Sequence, residues 1–230
     1  MSTPESTPSA FVASSAEHDI SYPLSCPPRI AVLASGHGTN LQALIDAIES
    51  GHLFAQIALV ISNHAGAPAL DRAAAHGLPM RLIPRNAYSS REAQQAALLA
   101  ALQEAQVSLV VLAGFDRILD ASIVSAFPQR ILNIHPSLLP AFAGGMAPRP
   151  QADALAYGVK ISGCTVHLVT EEIDAGPIIA QASVPVLEGD TVEALSARIL
   201  EQEHRLLPLA VNQLLVGRVQ IEGRRASILA

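Results

Sequence analysis

The sequence has no tryptophan, and aromatic residues make up only 3% of its 230 positions. Yet 50% of it is hydrophobic, so Ala, Leu, Val and Ile must fill the core. Cysteine is scarce too. Cys26 and Cys164 are far apart and make neither a disulfide framework nor a zinc-binding set. Cys164 sits inside an apolar run and reads as a small buried hydrophobe rather than a reactive thiol. No uninterrupted apolar run approaches the ~18 residues of a membrane span. The N-terminus lacks the basic-then-apolar pattern of a secretion signal. Lys and Arg number 14 against 20 Asp and Glu, a formal charge of −6, which weighs against a nucleic-acid partner. A small anion needs only a local site and is not excluded. The absences predict a cytoplasmic soluble protein away from membranes. They leave monomer and homodimer open.

Residues 1–28 are rich in Ser, Thr, Pro and Ala, carry Glu5, Glu17 and Asp19, and contain no Arg before residue 29. That composition predicts a disordered tail rather than a transit peptide. From residue 29 to 230 a single domain is expected. The short apolar run at 29–34 reads as a buried strand, and 56–62, 80–83, the very apolar 108–113 and 131–134 read as further strands. Helical periodicity or helix-forming composition occupies 39–50, 69–76, 89–106 and 119–127, with Gly51 and Gly77 as stops and Ser89 or Ser90 as a cap. Residues 162–170 and 177–186 have the spacing of a hairpin, and 191–215 reads as a long amphipathic helix. The pattern predicts an α/β, Rossmann-like open sheet. Its N-terminal half is parallel, its C-terminal strands mixed or antiparallel, and helices cover both faces.

Three segments carry candidate chemistry. Ser35-Gly36-His37-Gly38-Thr39-Asn40 follows the first strand and opens the first helix. Backbone amides there could hold a phosphate; a plain tight turn capped by Thr39 or Asn40 explains the segment equally well. In Leu132-Asn133-Ile134-His135-Pro136-Ser137-Leu138-Leu139-Pro140, alternation puts Asn133 and His135 on one strand face. A carboxamide and an imidazole at a strand end can stabilise one developing oxyanion; a buried, structurally satisfied His is the competing explanation. Asp174 lies in a turn bounded by Gly176 and Pro177. It is either turn chemistry or a carboxylate facing His135 and favouring its imidazolium.

Together these segments resemble the phosphoribosylglycinamide formyltransferase family of folate-dependent enzymes. The resemblance rests on residues 35–41, Ser90-Arg91-Glu92-Ala93, LAGFDRIL at 112–119, LNIHPSLLP at 132–140, GCTVHLV at 163–169, EIDAGPIIAQ at 172–181 and Gln202-Glu203-His204, in family order. It implies a formyltransferase fold. It also implies transfer of formyl from 10-formyltetrahydrofolate to the amine of 5′-phosphoribosylglycinamide in purine synthesis, with no metal. Asn133 and His135 would polarise the formyl carbonyl, and Asp174 would keep His135 protonated and organise a water. Gly38, Thr39 and Asn40 would take the substrate phosphate, and Glu203 the ribose. Arg91, Asp116, Arg117, Ile118 and Leu119 would line the folate site together with Asn133. Thr170, Glu171, Glu172, Ile173 and Asp174 would complete it, their backbone reading the pterin. Asp116 stands where methionine is usual and His37 where asparagine is frequent. The loop at 141–158 is about three residues longer than usual. His167, in the strand before Asp174, has either a structural or a functional role.

Two other readings share these residues. Formyltetrahydrofolate hydrolase is expected to carry an N-terminal regulatory domain and HHS in place of His135-Pro136-Ser137. A catalytically silent folate- or nucleotide-binding module would have lost one of Asn133, His135 or Asp174. His18, His52, His64 and His76 read as exposed or locally bonded.

Overall fold

The computed structural model describes residues 26–229, so the tail predicted at 1–28 lies almost wholly outside the described residues. Five strands form a parallel half-sheet: β1 (Arg29–Leu33), β2 (Gln56–Ser62), β3 (Met80–Leu82), β4 (Leu109–Leu112) and β5 (Ile131–His135). Then β6 (Ile161–Leu168) and β7 (Ile178–Pro185) run antiparallel beside β5, as the hairpin spacing implied. With β8 (Val219–Glu222) and β9 (Arg225–Ile228) at one edge, the sheet order is β3-β2-β1-β4-β5-β6-β7-β9-β8. Chain order reverses between β1 and β4, and a crevice opens at such a switch point beyond the carboxyl ends of the strands.

Strand alternation divides the core. Ile30 and Val32 of β1 face a cluster with Leu41, Leu44, Ile199 and Leu207. These come from helices α1 (Thr39–Glu49) and α6 (Val192–Leu215). Ala31 and Leu33 face the opposite cluster with Leu98, Leu102 and Ile123, from α3 (Arg91–Glu104) and α4 (Ala121–Ala126). With α2 (Pro68–Ala75) and α5 (Arg149–Tyr157), helices cover both faces. Ser90 caps α3, its side chain accepting a bond from the Ala93 N–H at 3.1 Å, and Thr191 caps α6 in the same way; each satisfies one free helix-end amide.

Several boundaries differ from expectation. The helix predicted at 119–127 starts at Ala121, leaving Leu119 in the loop. The presumed loop 141–158 contains α5, with Pro150 in its first turn and Gly158 in the left-handed conformation (φ 81°) at its end. That placement of Pro and Gly suits a helix start and stop. A C-terminal hairpin, β8 (Val219–Glu222) and β9 (Arg225–Ile228), was not anticipated. Gly223 at φ 60° turns it. Neither Thr39 nor Asn40 caps α1; Gly38 takes the N-cap position with φ 70°. A Cβ on Gly38 would also stand 2.7 Å from Ala69, so both conformation and contact require glycine there.

Candidate active site

A cleft of about 570 Å³ lies at the carboxyl ends of β1, β4 and β5. That size suits a small-molecule site. It gathers most of the residues singled out from the sequence: Asn133, His135, Asn40 and Glu203, the run Asp116, Arg117, Ile118 and Leu119, and the run Thr170, Glu171, Glu172, Ile173 and Asp174. Three residues do not line it. Gly38 is buried in the turn before α1. Thr39 opens on a smaller pocket with Arg72 and His204. Arg91 stands behind the segment, donating to the Ile118 carbonyl at 3.2 Å and pairing with Asp120 at 2.6 Å.

The reactive centre is built by two neighbouring strands and one loop. Asn133 and His135 project from the same face of β5, as alternation required. His135 Nδ1 lies 3.3 Å from Asp174 Oδ2, and its Nε2 donates to the Phe142 carbonyl at 3.1 Å. Asp174 sits on the β6–β7 loop at φ 51°, a left-handed conformation that aspartate adopts more readily than most side chains. The Gly144 N–H bonds its Oδ2 at 2.8 Å. Burial would raise the Asp174 pKa, but the Gly144 amide and the charge partner His135 help outweigh it and hold the carboxyl below its ordinary value.

For His135 the balance tips the other way. The ring is 3% exposed. Burial lowers its pKa below the ordinary 6.5, more than the Asp174 charge and the Phe142 carbonyl raise it. The Asp174 carboxylate pulls toward the imidazolium, and desolvation of the buried ring opposes it more strongly.

Asn40 and Glu203 meet across 163 residues of sequence. Asn40 Nδ2 donates to Glu203 Oε2 at 2.7 Å, while Asn40 Oδ1 is buried with no hydrogen-bond partner among the described residues. Burial pushes the Glu203 carboxyl up to about 7, against the pull of Asn40. Because the folded value exceeds the ordinary 4.5, the folded protein binds this proton more tightly than the unfolded chain. The resulting stability is complete below pH ~4.5 and is lost as pH rises through ~7. At 1.36 kcal/mol per unit the loss is ~3 kcal/mol. Glu203→Gln should therefore gain stability relative to the parent at pH 8 and gain little at pH 5, as read by urea unfolding at both values. An equal effect at both pH values would contradict the assignment. Cys164 is inert by comparison, its thiol pushed up to about 12 by burial and then by the Glu203 charge.

Sequence reasoning missed a polar hub beside the cleft. Asp116 Oδ1 accepts from Asn63 Nδ2 at 2.6 Å, and its Oδ2 meets His64 Nε2 at 2.7 Å. The Ser35 hydroxyl accepts the Asp116 N–H at 2.9 Å and donates to Asn63 Oδ1 at 2.6 Å. Burial raises the Asp116 pKa, but His64, Asn63 and Arg117 hold it below its ordinary value. The aspartate found in place of methionine thus ties together the loops after β1, β2 and β4. His167 was noted without a role; it lies 2% exposed against both Asn133 and Asp174. Its cross-strand pairing with Asn133 was the available signal. Among the described residues no group of three or more His, Cys, Asp or Glu could hold a metal ion. No described helix is long and apolar enough to cross a membrane.

Residues 28–211 match the family model described as formyl transferase. The chain belongs to the formyl transferase family. Its relatives agree in sequence and in fold. The phosphoribosylglycinamide formyltransferase of Escherichia coli K12 is 41% identical over 197 residues, spanning 86% of this chain and 92% of that protein. The crystal structure of glycinamide ribonucleotide transformylase 1 from Symbiobacterium toebii superposes with a TM-score of 0.86 at 51% identity, covering 90% of this chain and 96% of the other. The trifunctional purine biosynthetic protein adenosine-3 of Gallus gallus is 48% identical over 193 residues, which is 84% of this chain and 19% of that protein. The chain thus spans about a fifth of the trifunctional relative. The family supplies the enzyme class, transfer of a one-carbon formyl group. The mixed sheet with helices around it is the fold of its solved members.

Proposed function

We propose that this formyl transferase moves the formyl group of 10-formyltetrahydrofolate onto the amine of 5′-phosphoribosylglycinamide, in purine synthesis, as a single domain over 29–230. The observation that carries the reading is the pairing of His135 with Asp174 at 3.3 Å, beside Asn133, in the wall of one cleft.

Residue chemistry assigns the roles. Amine attack forms a C–N bond at the formyl carbon and drives charge onto its oxygen. Asn133 donates an N–H to that oxygen, and His135 offers it the Nε2 hydrogen once the Phe142 carbonyl gives it up. His135, disposed by burial to be neutral near pH 7, stays close enough to Asp174 for an imidazolium to be supported as charge develops. Asp174, held ionised, accepts the proton shed by the attacking nitrogen, directly or through water. The formyl bond to the folate nitrogen then breaks, and that nitrogen takes up one proton, which balances the transfer. The amides at Gly38, Thr39 and Asn40, at the head of α1, receive the phosphate. The unpaired Asn40 Oδ1 suits a hydroxyl donor, and with Glu203 it forms the ribose contact. Asp116, Arg117, Ile118 and Leu119 and the loop from Thr170 to Asp174 form the folate wall, with Arg91 bracing it from behind.

Acid-quenched product analysis with both substrates tests the proposal. Formylglycinamide ribonucleotide and tetrahydrofolate should appear in equal amounts, with negligible formate when the acceptor is left out. Formate release at the same rate without acceptor would identify a hydrolase instead.

A further inference from the structure

We infer that His167 is a positioning residue that fixes which way the Asn133 carboxamide points. The inference rests on the role proposed for Asn133 as an oxyanion donor, and deepens it.

His167 has two ring nitrogens with different neighbours. Nδ1 lies 3.0 Å from the Leu168 carbonyl oxygen. A carbonyl only accepts, so Nδ1 carries the hydrogen. Nε2 lies 3.1 Å from Asn133 Nδ2. In a neutral ring whose Nδ1 is protonated, Nε2 is a lone pair and accepts one N–H of the Asn133 amide. The second N–H of that amide is left to serve another acceptor. The amide is then no longer free to turn over, because a reversed group would set its oxygen against a lone pair. That matters at Asn133, where only the nitrogen end can stabilise negative charge.

The fold aims the ring deliberately. In the β5–β6 ladder His167 is directly opposite Asn133, and His135 opposite Thr165. The β6–β7 register slips between Val166 and His167, where Ala180 and then Ile178 are the partners. The extra residue, Ile179, lies in β7, so β6 keeps its unbroken register with β5 and sets His167 opposite Asn133. Asp174 Oδ1 stands 3.5 Å from the same Nε2, and the other Asp174 oxygen faces His135. The titratable groups around His167 are therefore Asp174 from the loop and His135 from β5. The shorter contact is with Asn133.

The test is a double-mutant cycle in the formyl-transfer assay with His167→Phe and Asn133→Ala, since residues that act as one unit are non-additive. His167→Phe should lower kcat by about 10- to 100-fold, part of what losing a whole donor costs, with each KM within about threefold of the parent. The double variant should fall within about threefold of Asn133→Ala alone. His167→Gln, which can offer a carbonyl oxygen to the amide, should recover part of the loss. Multiplying losses, or an effect on KM alone, would overturn the inference. Nitrogen-15 spectra of the His167 ring give a second readout that needs no turnover. At pH 7.5 they should show hydrogen on Nδ1 and an accepting Nε2 whose shift moves in Asn133→Ala. A hydrogen on Nε2, or no response to Asn133→Ala, would overturn it. Absence of glycinamide-dependent product from the parent enzyme would instead sink the proposed reaction and leave the spectra to decide the role of His167.

Discussion

His135→Ala should lower kcat by ~10²–10³, the usual cost of deleting one oxyanion donor, while the protein remains folded. The imidazole is the buried side of a pair with Asp174 and bonds the Phe142 carbonyl. Its removal leaves a cavity worth a few kcal/mol at most. Asp174→Asn should fall as far for a different reason. The amide keeps a similar shape and can still accept from Gly144, but it cannot take the amine proton or support an imidazolium. Steady-state rates beside far-ultraviolet circular dichroism check both variants. Near-normal turnover in His135→Ala would refute the role given to this ring.

Gly176→Ala should be the most damaging small substitution in the chain. A Cβ there would sit 1.8 Å from the Leu168 carbonyl oxygen and 2.9 Å from its carbon. No flexible side chain can yield, because both atoms are backbone. Gly176 closes the loop that carries Asp174, where the Leu168 N–H bonds the Pro177 carbonyl at 2.9 Å. A methyl group must push β6 and β7 apart at the base of that loop. The expected loss is ~4 kcal/mol or more, in the tail of single-residue effects, and Asp174 should lose its position as well. Gly66→Ala is the control, since a Cβ there meets nothing within 4 Å and should change stability by less than ~0.5 kcal/mol. Urea unfolding of both variants decides; a Gly176→Ala protein as stable as the control would contradict the steric argument.

What could be read from the sequence followed local rules. Most of the parallel half was legible because buried strands are continuous apolar segments; β3 at the sheet edge is exposed and owes nothing to that rule. Ser90 was legible as a cap because its hydroxyl serves an amide three residues on. Asn133 and His135 shared a face by alternation alone. Long-range contact was legible only through the family resemblance. Nothing local announces that Asn40 meets Glu203, or that Asp116 gathers Ser35, Asn63 and His64. Helix α5 was hidden because Gly144, Gly145, Pro148 and Pro150 read as a loop, although Pro150 in a first turn starts a helix readily. The C-terminal hairpin was hidden because four-residue strands carry too little periodicity. The charge partner of His135 can be guessed from motif residues, whereas the burial that opposes it can be read only from the fold.

A crystal structure of the enzyme with the glycinamide substrate and a non-transferring formyl-folate analogue tests most directly whether three groups converge on one carbonyl. The formyl oxygen should lie ~3 Å from both Asn133 Nδ2 and a His135 ring nitrogen, with the amine on the Asp174 side of the carbon. A carbonyl bound away from that pair, or a His135 ring still shielded from both ligands by Phe142, would contradict it.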